Sequence, residues 1–275
     1  MPARRRTTPR QTGSATGSRK QGSRSRTPPK ARSGAVVAGR RPVAELLRAG
    51  RRPVTRIWVA DTATLPAEIE AAVDEARIPV VAADAGELGE LCGIDAHQGV
   101  VAETVPLESV HPDDLFGDAT LVVALDGVVD PRNLGAVIRV VEAAGGDGVV
   151  VQDRNRAPLS AAAQKAAAGA AEWLAVSSVV NLSVTLERAK DSGMWVVGLE
   201  SSAASLKESA LFEENIVIVA GSEGRGLRRR VRETCDALVG IPMAGHVASL
   251  NVSTAVAVAV FEASARRARS VGRET

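Results

Sequence analysis

The chain reads as an α/β protein: a C-terminal, mostly parallel sheet with helices on both faces, preceded by a small α/β domain and a disordered basic tail. Three observations predict this. From residue 121 six apolar runs (121–125, 148–151, 174–179, 195–199, 216–220 and 237–241) alternate with helical stretches, and their hydrophobicity is continuous. Continuous runs mark strands buried on both faces, as parallel strands under helices are. Residues 34–104 hold shorter runs of both periods, enough for one small α/β unit. Residues 1–32 carry ten Lys or Arg and no acid, with little to bury, so residues 1–33 are assigned no secondary structure.

The elements follow in order. In the small domain the pattern predicts a helix over 43–47 ending at Gly50, a strand over 54–60, a helix over 65–76, a strand over 79–83, a short helix over 87–91 and a strand over 99–103. Residues 105–119 read as a linker, since the stretch carries Pro106, Pro112, Gly117 and four acids. Residues 120–275 form the second domain. Its last helix, from Ser249 to about 269, is rich in Ala and Val nearly all round, which places it in the core or at a subunit interface.

Composition excludes several classes. With 275 residues, 45% hydrophobic and 24% charged, the chain can bury two modest cores. No run reaches the roughly 18 apolar residues of a spanning helix and no secretory signal is evident, so a cytoplasmic protein away from membranes is expected. Cys92 and Cys235 are too few for a disulfide framework and read as reduced, partly buried thiols. His97, His111 and His246 lack partners at ligand spacing, and no metal is expected. The net charge of +2 conceals asymmetry: without the tail, 24 basic residues face 32 acidic ones. A basic arm on an acidic body suits nucleic acid; a passive leader is the bland alternative.

Three segments put glycine or polar residues at the mouth of an apolar strand. The first, LDGVVDPRNLGAVIRVVEAAG (125–145), has Asp130-Pro131 at a helix start and Asn133 in its first turn. Gly135 permits close approach of a backbone or ligand. Arg139 sits among apolar neighbours, needing an anionic partner or a wet cleft; pairing with Glu142 is the structural alternative. The second, IVIVAGSEGRGL (216–227), surrounds Ser222 and Glu223 with glycines, yet is neither GxGxxG nor a phosphate loop. The third, VGIPMAGHVASLNVSTAVA (239–257), places Ser249 as a helix cap and Asn251 where an apolar residue is expected.

In this order the segments resemble the three motifs of the SpoU-type RNA ribose 2'-O-methyltransferases, and the HQGVVAE ending (97–103) resembles the L30e-like RNA-recognition domain of that family's ribosomal branch. The resemblance implies a trefoil-knotted catalytic domain, a homodimer, and methyl transfer from S-adenosylmethionine without metal. It implies a polar set of Asn133, Arg139, Glu223, Ser249 and Asn251. It further implies that Gly221, Ile241 and Leu250, supported by Ala220, Met243 and Ser249, hold the cofactor. Arg139 would anchor a phosphate and stabilise the developing alkoxide, held by Glu223 and Asn133. The substrate implied is RNA, foremost a guanosine of 23S ribosomal RNA. A transfer-RNA or antibiotic-resistance ribosomal-RNA methyltransferase is the alternative within this chemistry, and a non-catalytic ribosome-assembly factor the alternative outside it. The absence of Tyr, with three Phe and three Trp, disfavours an aromatic platform for single-stranded RNA.

Overall fold

The computed structural model describes residues 35–152 and 159–271. The basic tail lies outside them. The N-terminal domain is a four-stranded sheet ordered β1-β4-β2-β3. Its elements are β1 (Val36–Ala38), α1 (Arg40–Ala49), β2 (Val54–Ala60), α2 (Ala67–Ala76), β3 (Val80–Ala83), α3 (Ala85–Cys92) and β4 (Val100–Thr104). Strand β1, too short to register as a run, pairs antiparallel with β4. Pro42 sits in the first turn of α1, where its missing N–H has no intrahelical use. Gly50 ends that helix in the left-handed region at φ 61°.

The second domain has six parallel strands ordered β10-β8-β9-β5-β6-β7. They are β5 (Leu121–Asp126), β6 (Gly148–Gln152), β7 (Ala175–Val179), β8 (Trp195–Leu199), β9 (Ile216–Gly221) and β10 (Ala237–Val239). The helices are α4 (Pro112–Phe116), α5 (Pro131–Ala143), α6 (Ala161–Ala167), α7 (Leu182–Asp191), α8 (Arg229–Thr234) and α9 (Val252–Val271). Strand β5 shows why its hydrophobicity is continuous. Leu121, Val123 and Leu125 enter the core under α5, α6 and α9, whereas Val122 and Ala124 enter the core under α4, α7 and α8. Each crossover returns the chain to the same edge, so all carboxyl ends of the strands lie together.

Three expectations are corrected. Residues 105–119 are not a free linker: α4 starts at Pro112 with His111 Nδ1 accepting from the Asp113 N–H, and Leu115 and Phe116 enter the second core. The strand expected to reach 241 ends at Val239, because Gly240 turns to pair with residues 204–206. The last helix begins at Val252, not Ser249. Gly135 serves close helix packing: a Cβ there would strike the Ala163 carbonyl and the Ala166 side chain of α6.

The two domains meet over α1, α6 and residues 170–173. Arg52, 4% exposed in its side chain, forms a bidentate ion pair with Glu172, which is 2% exposed. The same guanidinium donates to Gln164 Oε1 at 3.1 Å and to the Val105 carbonyl at 2.8 Å, and Gln164 Nε2 donates to the Val36 carbonyl of β1. Removing one member would leave a charge buried alone. We predict that Arg52→Ala lowers stability by about 3–5 kcal/mol, read as the urea midpoint; an unchanged midpoint would show that the pair does not hold the domains together.

Candidate active site

The carboxyl edge of the second sheet gathers the three segments. After β5, Gly127 at φ 72° turns the chain, Asp130 accepts from the Arg132 N–H at 2.8 Å as the cap of α5, and Pro131 takes the first helical position. Asn133 therefore projects from the first turn of α5. After β9, the Gly226 N–H donates to the Ser222 carbonyl at 2.9 Å, and Gly224 and Gly226 take φ of 78° and 63°. This tight turn presents Glu223 outward.

Three side chains distant in sequence converge there. Glu223 Oε1 accepts from Asn133 Nδ2 at 3.0 Å and from Asn251 Nδ2 at 2.6 Å. Asn251 Nδ2 also approaches Asn133 Oδ1 at 3.1 Å. Asn251 carries a second duty: its Oδ1 accepts from the Ser253 N–H at 2.8 Å and the Ser253 hydroxyl at 2.7 Å, capping α9. The capping role expected of Ser249 thus belongs to Asn251, and Ser249 is an exposed residue of the preceding loop.

Arg139 stands apart from this cluster. It is exposed on the second half of α5, so its charge is hydrated and the expected burial cost does not arise. Glu223 and Asn133 hold Asn251 rather than Arg139. Among the described residues no ion pair or hydrogen bond engages the Arg139 side chain, and Glu142 does not pair with it.

At the same carboxyl edge, after β8 and β10, a cavity of about 540 Å³ opens between residues 201–205 and 241–248, lined by Ser201, Ser202, Ser205, Ile241, Pro242 and Met243 among others. Its size falls in the range of small-molecule sites, roughly 300–1,000 Å³. An open, mixed lining of serine hydroxyls beside Ile241, Pro242 and Met243 offers hydrogen bonds to a nucleoside and apolar contact to an aliphatic chain, so S-adenosylmethionine fits these residues. Of the expected cofactor residues, Ile241 and Met243 line the cavity. Ala220 points into the core at 2% exposure. Gly221 is explained by its own loop, because a Cβ there would occupy the backbone of Gly226. Leu250 is half-buried and Ser249 exposed, both outside the cavity wall. Ser201, Ser202 and Ser205 escaped the sequence reading, since serines after a strand look like any loop.

The thiols are not nucleophiles. Burial pushes Cys235 up to about 12 and raises Cys92 as well, so both stay protonated at neutral pH. His97 Nδ1 accepts from the Gly99 N–H at 3.1 Å in a buried turn.

Comparison with known proteins agrees with this geometry. Residues 120–261 match the SpoU rRNA Methylase family, and residues 36–110 match the RNA 2'-O ribose methyltransferase substrate binding family. An uncharacterized tRNA/rRNA methyltransferase of Mycolicibacterium vanbaalenii is 40% identical over 242 residues, covering 84% of this chain and 76% of that protein. One of Mycobacterium avium is 39% identical over 240 residues, covering 84% and 77%. The SpoU methyltransferase AviRb from Streptomyces viridochromogenes, solved with AdoMet, shares the fold with a TM-score of 0.73 at 23% identity, over 85% of this chain and 90% of that one. An RNA 2'-O ribose methyltransferase structure superposes with a TM-score of 0.70 at 27% identity, over 85% and 88%. With its three motif segments folded onto one sheet edge, this chain belongs to the SpoU family of S-adenosylmethionine-dependent RNA 2'-O-ribose methyltransferases.

Proposed function

We propose that the protein methylates the ribose 2'-hydroxyl of a guanosine in 23S ribosomal RNA, acting in the cytoplasm as a homodimer. The observation that carries the reading is the convergence of Asn133, Glu223 and Asn251 at the carboxyl edge of the second sheet, the edge on which the segments lining the 201–248 cavity follow β8 and β10. The match of residues 36–110 to a substrate-binding family and the ten cationic residues of 1–32 support an RNA substrate. The HQGVVAE ending favours ribosomal RNA over the transfer-RNA alternative.

S-adenosylmethionine supplies the methyl group. Ile241 and Met243 line its cavity; Ala220 and Gly221 end β9, and Ser249 and Leu250 lie in the loop that leads from the cavity to α9. The chain must bring a weakly nucleophilic hydroxyl into line and favour loss of its proton. A guanidinium does not act as a base. Arg139 instead offers a hydrated, unpaired fork that anchors an RNA phosphate and stabilises the developing alkoxide. Asn133, Glu223 and Asn251 form a prearranged polar wall that orients the ribose.

The dimer reading rests on α9. Val252, Val256, Ala259, Val260 and Ala263 enter the core, while Thr254, Val258, Phe261 and Ala265 form an exposed stripe at helical spacing. Val258 and Phe261 are 41% and 49% exposed.

Arg139→Ala should leave cofactor affinity and thermal stability nearly intact while methyl transfer to an unmodified 23S transcript falls by about 10²–10³, and Arg139→Lys should rescue little. An unstable variant with normal activity per folded molecule would make Arg139 structural. Mapping ribose methylation in a deletion strain tests the target: loss of a 23S guanosine 2'-O-methyl group is expected, and loss from transfer RNA instead would select the alternative. Sedimentation of Phe261→Arg should show monomers where the native chain shows dimers; an unshifted dimer would place the interface elsewhere.

A further inference from the structure

The stretch GRGLRRRVR at 224–232 holds five arginines, a composition that would ordinarily be read as a nucleic-acid patch. Two of them are engaged inside the fold. Arg228 immediately precedes α8, and Arg232 lies one turn further on the same face. Strand β9, which precedes them, is flanked by β8 and β5.

On one side the Arg228 N–H donates to Asp126 Oδ2 at 2.7 Å and its Nε donates to Oδ1 at 2.6 Å. Asp126 ends β5 and is 0% exposed. Arg228 Nη2 continues to Gln152 Oε1 at the tip of β6, at 2.5 Å. On the other side Arg232 grips both oxygens of Glu200 at 2.6 and 3.2 Å, just beyond β8. Glu200 in turn accepts from the Ser202 hydroxyl at 3.1 Å, and its N–H donates to the Val239 carbonyl of β10 at 2.9 Å.

Each grip lies at the root of a loop that shapes the site. Gly221 pairs with Asp126 in the sheet register, and Arg228 binds the same residue's carboxylate, so Asp126 closes the Glu223-bearing loop at both ends. Glu200 opens the 200–205 segment, whose serines form one wall of the cavity. The hydrogen bond from Arg232 holds the Glu200 carboxyl below its ordinary range, which keeps it ionised in the grip. Arg229 pairs locally with Glu233, and the Arg230 side chain is exposed without a partner among the described residues.

We propose that Arg228 and Arg232 are positioning residues, a two-point brace by which α8 straddles β9 and holds the Glu223-bearing loop on one side and the 200–205 wall of the cavity on the other. The inference rests on the reading that the 201–248 cavity takes S-adenosylmethionine.

The test compares full-length Arg228→Gln, Arg232→Gln and Arg230→Gln by S-adenosylmethionine calorimetry, poly(U) binding and amide hydrogen exchange. Arg232→Gln, which frees the 200–205 wall of the cavity, should raise the cofactor Kd by about tenfold, the scale of one lost charge-assisted hydrogen bond, while Arg230→Gln should not. Exchange should quicken in residues 222–227 for Arg228→Gln and in 200–205 for Arg232→Gln. Adding Glu200→Gln to Arg232→Gln should weaken binding no further, since both remove one contact. Loss of poly(U) affinity with native cofactor Kd and native exchange would overturn the brace in favour of an RNA patch. A lowered melting temperature with native Kd per folded molecule would make the arginines merely structural. If the native protein itself binds no S-adenosylmethionine, the cavity reading fails, and the exchange data alone decide the brace.

Discussion

One carboxylate oxygen joins the catalytic domain at its edge. Glu223 Oε1 receives amides from α5 and from the start of α9, residues 90 positions upstream and 28 downstream. Nothing local favours that meeting. It requires a parallel sheet whose crossovers all return to one edge, a glycine turn that presents the carboxylate outward, and a terminal helix that begins at Val252. The cluster reports whether all three have formed, because a carboxylate and two amides that miss each other gain nothing over water.

Asn251 shows how one side chain can serve fold and site together. Its oxygen takes up the Ser253 N–H in the first turn of α9, and its nitrogen reaches across to Glu223. An aspartate would keep the first duty and oppose the second with a like charge. A serine would keep the first and lose the second. The amide places its acceptor and its donors on two separate atoms, so Oδ1 can cap α9 while Nδ2 reaches Glu223, which explains a polar residue at the head of an otherwise apolar helix.

Strands buried on both faces were legible because each carries an uninterrupted apolar run, and the three motif segments were legible because glycine and proline punctuate them. Strand β1 was not, since three apolar residues carry no period. Helix α4 hid among the prolines and acids of an apparent linker, although Pro112 after a capping-competent His111 was a usable signal. Within the site, Asn133, Glu223 and Asn251 stood out as polar residues in unexpected places. Arg139 stood out equally, yet it lies on the exposed side of α5, a fact that depends on which face α6 covers. The grips on Asp126 and Glu200 were invisible, because ion pairs 102 and 32 residues apart look like ordinary surface charges until the strands are ordered.

The domain junction sets the mechanics of the molecule. Arg52 and Glu172 sit almost wholly out of water, with Gln164 and a main-chain carbonyl completing their partners. Swinging the two domains apart would have to separate those charges before either could be rehydrated, a barrier that no flexible tether imposes. The N-terminal domain is accordingly held at one fixed spacing from the catalytic sheet edge, so an RNA that touched both would meet them as a single rigid template.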